Sequence, residues 1–149
     1  MKQIYVVKTF ATITFFLAFL LVQPAARADE FNQETKLTFN QAVQISGHVL
    51  PAGTYLFVLP DDINHHEEVH IFSADRRKLY AIVLTASAER SQPTANTAFT
   101  FARRGSGQPQ AIVTWFYPGK SIGHEFLYPK QVREELAAEK KYTVVAAGF

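Results

Sequence analysis

The chain has 149 residues, 48% of them hydrophobic, with thirteen phenylalanines, one tryptophan and no cysteine. Fifteen basic against thirteen acidic side chains leave it close to neutral, which excludes the strongly basic surface that a nucleic-acid backbone or an anionic membrane requires. The lack of cysteine excludes a disulfide scaffold, a thiol nucleophile and a lipid anchor through sulfur, so stability has to come from packing.

Lys2 and Lys8 precede an apolar run from Phe10 to Val22, followed by Gln23-Pro24 and the small-residue sequence Ala26-Arg27-Ala28. That order is the pattern of a secretory signal peptide, with cleavage expected after Ala28. The run is shorter than the roughly 20 residues a bilayer-spanning helix needs, so a mature chain without a transmembrane segment is expected, periplasmic or extracellular. The predicted organisation is a signal peptide over 1–28 and a single domain over 29–149. Cleavage removes Lys2, Lys8 and Arg27 and no acidic residue, so fifteen basic side chains become twelve against thirteen acidic ones, a net charge of −1.

Glu34 to Phe39 alternates, Leu37 and Phe39 against Lys36 and Thr38, which predicts a half-buried strand. Val43 and Ile45 predict a second extended stretch ending at Ser46-Gly47. The segment Val49–Leu59, VLPAGTYLFVL, is the organising feature: Pro51 presets a turn, Gly53 is expected at positive φ, and Tyr55, Phe57 and Leu59 oppose Leu56 and Val58. A strand apolar on both sides belongs inside a layered structure. Pro60 to His66 is a predicted loop, and a less buried strand resumes at Glu68 with Val69 and Ile71 on one face. Asp75-Arg76-Arg77 forms a charged hairpin tip. Leu79 to Thr85 is again apolar on both sides and is expected in the interior.

Ser87 to Ala95 reads as a connection, Ala98 to Ala102 as a strand burying Phe99 and Phe101, and Arg103 to Pro109 as an exposed turn. Ala111 to Tyr117 is an apolar strand carrying Trp115. Ile122, His124, Phe126 and Tyr128 share one face of the last main strand. Pro129 then opens a predicted short amphipathic helix over Lys130–Lys141, and the apolar tail from Tyr142 either adds a strand or frays. Strands of this length and spacing predict an all-β, mainly antiparallel fold, a β-sandwich or small barrel with a short C-terminal helix.

Three groups of residues could carry chemistry. His66, Glu68 and His70 project from one face if the strand begins at His66, a geometry that presents two imidazoles and a carboxylate to a divalent metal, with His124 as a further ligand. The spacing matches no metalloenzyme motif, and the competing reading is a solvated loop entering an edge strand. Arg76, Arg77, Arg103 and Arg104 sit on two turn tips and form a ligand or partner surface for an acidic group if those tips share one end of the fold. Gly105-Ser106-Gly107 falls short of a nucleophile elbow and reads as a flexible hairpin.

At VQISGHVLPAGTYLFVL, VHIFSADRRKLYAIVL and IGHEFLYPK the chain resembles a group of small exported bacterial proteins of unknown function whose shared mark is a PAGTY-type turn and strand. The resemblance implies the fold and export and supplies no catalytic residue. The reading that follows is an exported, non-enzymatic binding or structural module of the cell envelope, with no cofactor and a cell-envelope protein or glycan as partner. The alternative is a metal-binding protein or metal-dependent hydrolase built on the His/Glu cluster.

Overall fold

A computed structural model of the chain describes residues 27–29, 34–60 and 67–145. The strands are β1 (Arg27–Asp29), β2 (Glu34–Phe39), β3 (Val43–Ile45), β4 (His48–Leu50), β5 (Gly53–Val58), β6 (Glu68–Ser73), β7 (Leu79–Glu89), β8 (Ala98–Ala102), β9 (Gln110–Phe116), β10 (Ile122–Phe126) and β11 (Lys141–Val145), with one helix, α1 (Lys130–Ala138), before the last. The fold is therefore all-β with a short helix near the C-terminus. Most of the signal-peptide segment lies outside the described residues; β1, paired with β2 through Ala28 and Thr35, spans the junction where cleavage is expected.

The strands form one connected sheet that folds into two layers. Sheet A runs β1-β2-β5-β6-β7. Sheet B runs β7-β10-β9, and β9 carries β8 and then β11 along one edge. Its other edge is divided between β10 at Thr114–Trp115 and β3 at Gln110–Ala111, the latter a parallel pairing, with β4 beyond β3. Strand β7 belongs to both layers: Leu79–Leu84 pair with β6, and Thr85–Glu89 pair with β10. This change of partner explains why the strand runs on to Glu89, past the point at Ser87 where a connection was expected.

Alternation along the strands fills the space between the layers. Leu37, Phe57, Val69, Ile71 and Val83 enter it from sheet A, and Phe99, Phe101, Ile112 and Trp115 from sheet B. Phe57 meets Phe99 and Trp115 edge-on at ring separations of 5.9 and 6.1 Å, while Phe99 stacks on Trp115 with 6° between ring planes. Such aromatic pairs contribute about 0.5–1.5 kcal/mol each beyond the area they bury. One glycine is required by packing: a Cβ at Gly123 would lie 2.5 Å from both the Phe116 ring and the Trp115 carbonyl oxygen.

The organising segment behaves as its sequence predicts on both sides, since Tyr55, Leu56 and Phe57 are all buried. Gly53 has positive φ as expected, at 159° close to extended backbone, and the Tyr55 hydroxyl donating to the Pro51 carbonyl at 2.8 Å ties the turn to its strand. For Leu79–Leu84 the expectation of an interior strand is overturned. Ala81 and Val83 are buried, but Leu79, Ile82 and Leu84 are 47%, 48% and 56% exposed, because no described element covers the outer side of β7 there. The helix ends three residues earlier than predicted, and the tail forms β11 against β8 rather than fraying.

Helix α1 closes one end of the sandwich. Leu136 is buried, Val132 packs against the core, and Arg104 clamps the helix by two 2.9 Å bonds to the Glu135 carboxylate. Ahead of it, the Tyr128 hydroxyl donates to the Ile112 carbonyl at 2.7 Å and lies 3.1 Å from that of Gln44, tying the helix entry to β9 and β3. Burial pushes this phenol well above its ordinary pKa.

Candidate functional site

Two strand ladders decide what the outside of the molecule presents. On sheet B, register brings Thr143 opposite Thr100, Thr100 opposite Thr114, and Thr114 opposite Glu125. Residues paired across strands point to the same side, so three hydroxyls and a carboxylate form one transverse row over β11, β8, β9 and β10. The Thr100 and Thr143 hydroxyls are 3.2 Å apart, and the neighbouring Phe99 and Trp115 point inward, which places the row on the outer face. A shallow depression of about 490 Å³ lies over it, with Ala88, Ala98 and Phe116 among its other lining residues. Arg90 forms the wall: its guanidinium sits 4.7 Å above the Phe116 ring and donates to the Lys120 and Tyr117 carbonyls and to the Thr94 hydroxyl. The Thr114 hydroxyl is buried and has no hydrogen-bond partner among the described residues.

On sheet A the outer grid is apolar toward β7 and charged toward β2, where Lys36 stands opposite Leu56 and Glu34 opposite Val58. Leu56 stands opposite Phe72 and Phe72 opposite Leu79; Val58 is opposite His70 and His70 opposite Ile82; Glu68 is opposite Leu84. Leu127, 44% exposed, donates its N–H to the Leu84 carbonyl and extends the grid by one column. An irregularity between Ile71 and Phe72 leaves Tyr80 unpaired, and its ring packs edge-on against Tyr55 at 5.1 Å.

Glu68 and His70 share this outer face, with Nε2 of the histidine 3.3 Å from the carboxylate. His66 lies outside the described residues. His124 is not brought to them: it points to the inner face, where Nδ1 is 3.1 Å from the Thr85 hydroxyl and the ring lies 5.8 Å from Trp115. Thr85 in turn donates to the Glu67 carbonyl, so His124 joins a hydrogen-bonded bracket at the point where β7 changes partner. Among the described residues no three His, Cys, Asp or Glu side chains converge as metal ligands do.

The four arginines each have a partner within the chain. Arg76, at φ 62°, forms an ion pair with Glu34, and Arg77 lies 3.6 Å from Asp75. The Asp75 carboxyl, which accepts from the Ser73 hydroxyl and the Arg77 N–H, is held below its ordinary pKa by those bonds. Arg103 stacks on Tyr142 at 5.4 Å, and Arg104 is the helix clamp, also bonded to Gln44. Of these side chains Arg77 projects furthest, 88% exposed.

Sequence reasoning did not find the threonine row. Its members are 14 and 29 residues from their neighbours in sequence, and only the register of two ladders aligns them. The available signal was a threonine at an outward position in each of three strands. Comparison with known proteins found no family model that matches the chain, and no curated protein or solved structure similar to it. Among the described residues no helix is long and apolar enough to cross a membrane.

Proposed function

We propose that the chain is an exported, non-enzymatic binding module of the cell envelope, and that the depression on sheet B holds a polyhydroxylated ligand, a segment of envelope glycan. The signal-peptide pattern and the PAGTY-type resemblance support export. The observation that carries the ligand class is the transverse row Thr143–Thr100–Thr114–Glu125. A threonine hydroxyl both donates and accepts, as a sugar hydroxyl does, and a carboxylate accepts from two neighbouring hydroxyls at once. An open, shallow site with groups of this kind favours rapid, weak binding to a long polymer over enclosure of a small reactant.

Titration with soluble peptidoglycan fragments and N-acetylglucosamine oligomers, followed by amide chemical shifts, tests this reading. Shifts should centre on Thr100, Thr114 and Glu125, and Glu125→Gln or Thr100→Val should weaken binding by about fivefold, the worth of one net hydrogen bond. Shifts confined to other surfaces, or variants that bind as the parent does, would refute it.

The second reading keeps Glu68 and His70 as two ligands of a divalent metal with His66 as a third, favoured by the shared face of the first two. Zinc at a hundredfold excess over its dissociation constant should then stabilise the fold by ~2.7 kcal/mol, and His70→Ala should abolish the gain.

A further inference from the structure

We propose that the apolar outer face of sheet A is the interface of a two-fold dimer of this chain, with the strands of the two copies running antiparallel to each other. Leu79, Ile82, Leu84 and Leu127 form an exposed apolar strip along β7 and the continuation of β10, with His70 and Glu68 beside it on β6. The four apolar residues are between 44% and 56% exposed, a contiguous outward apolar surface of the kind that marks an interaction site. A second sheet laid across it at the usual angle of about −30° would bury it as the first two layers bury each other.

Charge selects the occupant and its direction. At one end of the strands the β6–β7 turn carries Arg76, Arg77 and Lys78 against the single acidic residue Asp75. At the other end stand Glu67 and Glu68, the latter directly opposite Leu84. A two-fold axis lying between the copies and across the strands puts the basic turn of each copy over the acidic end of the other. An axis along the strands would set like charges together, at a cost. The turn is preformed for this use: Arg76 N–H donates to the Ser73 carbonyl at 2.9 Å and Lys78 N–H to the Ser73 hydroxyl at 3.0 Å. Arg76 is engaged with Glu34, while Arg77, 88% exposed beside Asp75, and Lys78, 4.6 Å over the Tyr80 ring, are the cations placed to turn across.

Sedimentation equilibrium of the purified chain tests the proposal. The parent should be a dimer at about 100 μM, the range in which a modest interface is populated. Leu84→Glu should shift it to monomer, with a thermal melt equal to that of the parent diluted until it too is monomeric, since that side chain is outside the core. The pair Arg77→Glu/Lys78→Glu and the pair Glu67→Lys/Glu68→Lys should each weaken self-association at least tenfold at low salt. Mixing the two reversed variants should restore a heterodimer, because each basic end then meets an acidic one. A parent that stays monomeric at that concentration, a dimer indifferent to Leu84→Glu, or reversed variants that do not recombine would overturn the proposal.

Discussion

Sheet A turns Phe72, Leu79, Ile82 and Leu84 outward, whereas sheet B turns outward Thr100, Thr114, Thr143 and Glu125. Both sets occupy positions that alternate with buried core residues, and both are set by the same two-residue period. The inner faces are chemically alike and interchangeable in kind; the outer faces are not. A sandwich needs only one apolar side per sheet, so what each sheet carries on its other side is free to serve something besides folding. The outer side of β7 and the hydroxylated outer side of sheet B are accordingly proposed for two different occupants.

The sharpest way to break this comparison is to disturb the one place where an outer face is tied to the core. Gly123→Val drives a side chain into the Phe116 ring and the Trp115 carbonyl, and should destabilise the fold by about 3 kcal/mol or more in chemical denaturation while disturbing the sheet B depression. A smaller effect compares neighbours on one strand. Val83→Ala, at a buried position, should cost about 1–3 kcal/mol, whereas Leu84→Ala, at an exposed one, should change the monomer's stability by no more than about 0.5 kcal/mol. Equal costs would mean that the outer face of sheet A is covered within the monomer.

Tyr128→Phe removes a hydroxyl held by the Ile112 and Gln44 carbonyls and should cost about 1–2 kcal/mol at neutral pH. Burial raises the folded-state pKa of this phenol, so the folded chain holds the proton more tightly than the unfolded one. The associated stability is present below the ordinary tyrosine value of about 10 and is lost as pH rises above it. The alkaline limb of a stability–pH profile should accordingly be flatter in Tyr128→Phe than in the parent. The smallest effect is expected at Thr114→Val. Its buried hydroxyl has no partner among the described residues, so the change should be neutral or slightly stabilising in a thermal melt.

Much of the fold was legible before any coordinates. Strands β2, β5, β8 and β9 follow the alternation of Leu37/Phe39, Tyr55/Phe57, Phe99/Phe101 and the apolar run around Trp115. The helix follows from Pro129 and the helix formers after it, although it stops at Ala138, leaving Glu139 and Lys140 as the connection and Lys141 as the first residue of β11. Less of the candidate sites could be read. Glu68 and His70 share a face because they are two residues apart on one strand. His124 shares the face of Phe126, as its spacing predicts, but that face is the inner one, toward Thr85, and spacing within one strand does not say which strands lie opposite.

Local sequence determined where the chain is extended, where it turns and which residues can be buried, because those follow from the period of two and from the preferences of proline, glycine and branched side chains. Tertiary structure alone decided which of two apolar sides is covered, as at Leu79–Leu84, and which distant residues become neighbours, as in the threonine row. Strand register and layer order are set by contacts between segments far apart in sequence, and no local pattern carries that information.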